Sequence, residues 1–123
     1  MKKPVAPKWL DKPADKDFKA AETYLQLLYG PKRARRYSKK LADAGIEIYA
    51  AKDILRASET PISEVQAFDW AKQQSKIAAG EPLSPILLIR QDDGDHLIIA
   101  DGFHRLCAVF CVDQEAPVPC KIA

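Results

Sequence analysis

Cysteine is scarce and odd in number, three in 123 residues. That excludes a disulfide framework and points to a reducing compartment. Long hydrophobic runs are missing too. The longest wholly apolar stretch, Pro85-Ile86-Leu87-Leu88-Ile89, is far too short to span a bilayer. No secretory leader is visible: Met1-Lys2-Lys3 begins like one, but Pro4, Pro7, Lys8 and Asp11 stand where its apolar segment belongs. A cytoplasmic protein is therefore expected. There is no internal repeat and no paired C-x-x-C motif of the kind that builds zinc sites.

Apolar residues are plentiful: 47% of the chain is hydrophobic, with ten Ile, eleven Leu and five Val behind eighteen Ala. That is enough for one compact unit of ordinary domain size, and too much for a disordered chain. The net charge of +2 conceals a division. Lys and Arg dominate residues 1–40, whereas Asp and Glu dominate 41–123. The basic part can meet an anionic partner or the protein's own acidic part.

Residues 1–14 alternate Lys and Pro and predict a flexible, extended arm, ordered where Trp9 and Leu10 find a surface. Residues 15–59 predict a helical N-terminal extension. In its first helix Asp15 or Asp17 is the cap, Phe18, Ala21, Leu25 and Leu28 share helical spacing, and Gly30-Pro31 is the stop. A second helix over 32–44 turns Ala34, Tyr37 and Leu41 inward and stops at Gly45. A short helix is expected over 50–57, with a strand through Ile46, Ile48 and Tyr49 as the alternative.

Thr60-Pro61 reads as an N-cap and a first-turn proline, opening a helix toward Ala79 that buries Ile62, Val65, Phe68 and Ala71 and closes at Gly80. Strands are expected at 86–89 and 97–100, joined by a turn at Asp92-Asp93-Gly94-Asp95. A helix over 103–112 follows. The last strand, 117–122, carries Pro117 and Pro119, which suit an edge position or a strand end.

The richest chemistry lies where the second of these strands meets its helix, at Asp101-Gly102-Phe103-His104-Arg105. Backbone N–H groups at a helix start lack internal partners and sit at the positive end of the helix dipole, a natural place for phosphate or carboxylate. Arg105 adds a permanently charged planar fork. His104 can donate a hydrogen bond, and the dipole favours its neutral form. Asp101 would orient a hydroxyl or share Mg²⁺ with phosphates. The structural alternative is that Asp101 caps the helix, Arg105 pairs with Asp101 or Asp113, and His104 packs.

Three segments carry a resemblance: Leu83 to Ile89, then Ile98-Ile99-Ala100-Asp101-Gly102-Phe103-His104-Arg105-Leu106-Cys107-Ala108, then Val118-Pro119-Cys120-Lys121-Ile122. Together they resemble the ParB/sulfiredoxin superfamily, with its "P-I-x-V … I-x-D-G-x-H-R-x-x-A … I-P-x-x-I" pattern, over about residues 60–123. The resemblance implies an α+β fold for the core at 60–123, a small mixed sheet with helices. It also implies a nucleotide- or phosphate-binding module with the ligand at Asp101, Gly102, Phe103, His104 and Arg105. Sulfiredoxin chemistry needs a cysteine just before the histidine, where this chain has Phe103. Centromere-type partition needs a helix-turn-helix module as well and is not expected. The superfamily's free-serine kinases keep the alternative of a phosphotransferase or nuclease-like hydrolase using Asp101, with Glu81 in the Gly80-Glu81-Pro82 loop as the base.

Three further features stand apart from this motif. Lys32, Arg33, Arg35, Arg36, Lys39 and Lys40 place six cations in nine positions, either a nucleic-acid contact or a solvated face paired with the chain's own acids. His104, Cys107 and Cys111 share a helix face, and Cys120 follows on a strand, but the spacing fits small core residues equally and no metal site is expected. Phe68 reads as core. Trp70 either packs or lines the nucleotide pocket.

Overall fold

A computed structural model describes residues 6–91 and 96–123. Its centre is β2 (Ile86–Arg90), a strand apolar at four consecutive positions because both of its faces are covered. Ile86 and Leu88 enter one hydrophobic cluster, and Leu87 and Ile89 enter a second on the opposite face. The second cluster is closed by two helices that pack on one another, α1 (Asp15–Tyr29) and α2 (Pro31–Asp43). The first is closed by α3 (Ala51–Ala57), α4 (Ile62–Gln66), α5 (Ala71–Ala78) and α6 (Phe103–Val112). The remaining strands are β1 (Glu47–Ala50), β3 (Leu97–Asp101) and β4 (Pro117–Ile122).

The sheet is mixed, in the order β1-β4-β2-β3, with β2 and β4 parallel and the other neighbours antiparallel. The fold class is α+β. β1 and β3 are the two edges. Both β1 and α3 come from the segment before residue 60, so that segment contributes a strand to the sheet and three apolar side chains, Ala51, Ile54 and Leu55, to the first cluster. The strand and the helix weighed as alternatives at 46–57 both exist, in succession.

The arm is held at several points. Trp9 bridges to Leu83, the Leu10 N–H donates to the Leu83 carbonyl (2.8 Å), and the Ala14 N–H donates to Ser84 Oγ (3.0 Å). The expected turn at 92–95 lies outside the described residues.

Three expectations need correction. Neither Asp15 nor Asp17 caps α1; Ala14 occupies the cap, and Asp17 is buried. Leu28 is exposed, because the buried stripe runs Asp17–Ala21–Leu25 at four-residue intervals. The helix expected from Thr60 to Ala79 breaks at 67–70, where Asp69 Oδ1 accepts the Ala71 N–H (2.9 Å) and starts α5 anew. That break shifts the helical phase: Trp70 goes into the core, while Ile62, Phe68 and Ala71 stay exposed. Of the two placements expected for the prolines of the last strand, the strand end holds and the edge does not: β4 is an interior strand that begins at Pro117. Its prolines are tolerated because Pro117 and Pro119 precede the stretch paired with β2, which begins at Cys120.

Candidate functional site

β3 ends at Asp101, and Gly102 turns the chain with φ +98 into α6. A side chain is excluded there twice over. The conformation is left-handed, and an added Cβ would lie 2.7 Å from Ile86 Cδ1 and 2.8 Å from Arg105 Nη2. Glycine thus lets β2, the turn and the guanidinium close on one another. The Leu106 N–H donates to the Gly102 carbonyl (3.0 Å), and among the described residues no acceptor takes the N–H groups of Phe103, His104 and Arg105. Gly102 is itself the cap residue, with no side-chain capping bond, so Asp101 does not cap α6.

Asp101 serves Arg105 instead. Arg105 Nη2 donates to Asp101 Oδ2 (3.1 Å) and to Asp17 Oδ2 (3.3 Å), while Nε donates to the Ser84 carbonyl (3.1 Å). Asp113, the other partner considered, accepts the Glu115 N–H. One guanidinium therefore joins α1, the segment entering β2, the end of β3 and α6. Nη1 has no partner among the described residues.

Two carboxylates on one cation leave the cluster short of positive charge. Burial pushes the Asp101 carboxyl up from its ordinary value against the opposing pull of Arg105, and nearby Asp17 adds to the rise. An acid held higher in the folded state keeps its proton better there than in the unfolded chain. Its contribution to stability is thus complete at low pH and is lost as pH rises from the ordinary carboxylate range through the folded value. Asp101→Asn is accordingly expected to be more stable than the parent at pH 7, the gap closing as pH falls through the raised folded value toward about 4. Urea midpoints of the two proteins at both pH values check this; a large loss at pH 7 would show that Arg105 needs this carboxylate.

Residues 102–105 form one end of a cavity of about 680 Å³. Its floor is the edge strand β3, with one wall from Ala20 and Tyr24 of α1 and the other from Ser58 and Thr60; His96 and Leu97 lie at the far end of the strand. That volume is within the range of small-molecule sites. Behind the turn, Trp70 packs edge-on to Phe103 (6.4 Å between centroids) and against His104 (5.6 Å), its Nε1–H donating to the Val65 carbonyl (2.6 Å). Trp70 does not line the cavity; it braces the two residues that do.

Of the residues singled out from sequence, Asp101, Gly102, Phe103, His104 and Arg105 all line the cavity. Glu81 does not: it is exposed on the turn after α5. None of the six cations at 32–40 lines it either. Cys107 and Cys120 belong to the first cluster, and burial pushes their thiols up to about 12 and about 11. Cys111 is exposed.

Sequence reasoning missed Asp17, Ser84, Ala20, Tyr24, Ser58 and Thr60. For Asp17 a signal existed, since a carboxylate four residues before Ala21 and eight before Leu25 stands on a buried stripe.

Neither a family model, nor a curated protein, nor a solved structure matches the chain. Among the described residues no helix is long and apolar enough to cross a membrane.

Proposed function

We propose that this protein is a nucleotide- or phosphate-binding module, a divergent relative of the ParB/sulfiredoxin superfamily, with its anion at the start of α6. One observation carries the reading. Three successive amides, of Phe103, His104 and Arg105, have no acceptor among the described residues and belong to a turn lining a cavity of nucleotide-compatible size. Arg105 supports it: its two carboxylates and the Ser84 carbonyl fix the guanidinium plane while Nη1 stays available.

The same carboxylates define what the ligand must bring. Asp17 and Asp101 oppose a bare anion, so the ligand binds best with a cation. Among the described residues no three His, Cys, Asp or Glu side chains converge. Mg²⁺ would therefore be held mainly through the ligand's phosphates, with Asp101 as the protein carboxylate.

Amide chemical shifts test this directly. Titration with ATP, CTP, GTP, ADP and inorganic phosphate, each with and without Mg²⁺, is expected to move the amide resonances of residues 102–105 first. Tyr24→Glu, a new charge on the cavity wall, is expected to weaken the best ligand about tenfold, some 1.4 kcal/mol. Unmoved amides at millimolar concentrations of every ligand would overturn the proposal.

A further inference from the structure

We propose that α2 carries a second, independent binding surface, which takes the phosphate backbone of a nucleic acid without reading its bases. The helix holds six basic residues and one acidic one. It turns Ala34, Tyr37 and Leu41 inward toward α1 and leaves Lys32, Arg35, Arg36, Lys39 and Lys40 exposed. Among the described residues, none of those five cations forms an ion pair.

The arrangement works against the helix that bears it. Every residue three or four positions from Arg36, namely Lys32, Arg33, Lys39 and Lys40, is also cationic, and like charges at that spacing repel. The first turn has no acidic residue, and Lys32 and Arg33 sit at the positive end of the dipole. An external polyanion relieves both.

The cationic heads are also partly positioned. The Arg33 guanidinium lies 4.4 Å over the Tyr29 ring and 5.6 Å from that of Tyr37, and Lys40 Nζ lies 5.9 Å from the Tyr37 ring. Arg33, Arg36, Tyr37 and Lys40 enclose a cleft of about 60 Å³, matched to a few phosphate oxygens. Arginine forks suit that group.

A membrane surface fits less well, because a helix lying in an interface needs apolar side chains to insert, and α2 exposes no large hydrophobic residue. No residue is shared with the cavity at α6, so either site can fail while the other stands.

Fluorescence anisotropy with a duplex DNA of about 20 base pairs and arbitrary sequence tests the proposal across salt concentrations. Neutralising about four phosphates gives a slope of log K against log salt near −3.6, independent of sequence. Arg36→Gln/Lys40→Gln is expected to lose at least about tenfold in affinity at about 50 mM salt and to reduce the slope by about 1.8. That variant removes like-charge neighbours and should melt at or above the parent temperature, so lost binding is not lost folding. Lys72→Gln/Lys76→Gln on α5 makes the same change in net charge and is expected to bind like the parent. The proposal is overturned by an absence of binding at low salt, by equal losses in the two variants, or by preference for phosphatidylserine vesicles or polyglutamate over the duplex.

Discussion

Arg105→Ala is expected to destabilise the protein by about 3 kcal/mol, lowering its melting temperature by about 10 °C. The guanidinium faces two carboxylates, and the Asp17 side chain is only 7% exposed. Removing the cation leaves Asp17 and Asp101 beside one another, one of them almost out of water. Stranding a buried charge in this way costs more than the pair's net worth, because the desolvation of the survivor is no longer offset. The Arg105 side chain is 22% exposed, which places the effect at the low end of the range for buried pairs.

Two features separate this mechanism from simple loss of packing. The deficit should shrink in acid as the Asp101 carboxyl takes up its proton, and Asp17→Asn/Arg105→Met should recover most of it. Denaturant unfolding of the single and double variants at pH 4 and pH 7 measures both. A loss in Arg105→Ala below about 1 kcal/mol, unchanged by Asp17→Asn, would mean that this ion pair does not hold α1 to the rest of the fold. Ligand studies with Arg105→Ala must accordingly be read against its stability.

Gly102→Ala is expected to cost about 3 kcal/mol. The left-handed backbone alone costs a residue with a side chain on the order of 1–3 kcal/mol. The new methyl must then displace Ile86 Cδ1, in the core, and Arg105 Nη2, in the ion cluster. Gly45→Ala is the internal control: an added Cβ there meets nothing within 4 Å, and the backbone is not left-handed. It should change stability by less than about 0.5 kcal/mol, or raise it slightly by restricting the unfolded chain. Equal effects at the two positions would refute the special role of the turn.

The strand, the turn and the helix of the candidate site were legible because each is decided locally. An apolar run ending in Asp-Gly, followed by an apolar segment at helical spacing, has few other solutions, and α6 lies at 103–112 as expected. The long helix after Pro61 was misread for an equally local reason. Asp69 competes for the backbone at the Ala71 N–H, and a side chain of that kind stops one helix and starts the next. Once the phase slips by a few residues, Trp70 and Phe68 exchange core and surface.

Sequence alone located the strand at 86–89, the apolar stripe of α2 and the glycine turn into α6. Periodicity and backbone stereochemistry act within a few residues, so they can be read along the chain. Only the tertiary structure decided that Arg105 meets Asp17, 88 residues away, and that Ala20, Tyr24, Ser58 and Thr60 flank one strand edge. It alone placed β4 inside the sheet and left Lys32, Arg35, Arg36, Lys39 and Lys40 of α2 without an ion-pair partner among the described residues. Those outcomes depend on which elements share a sheet face and at what register, a choice made by burying whole surfaces against one another, which no single window of sequence contains.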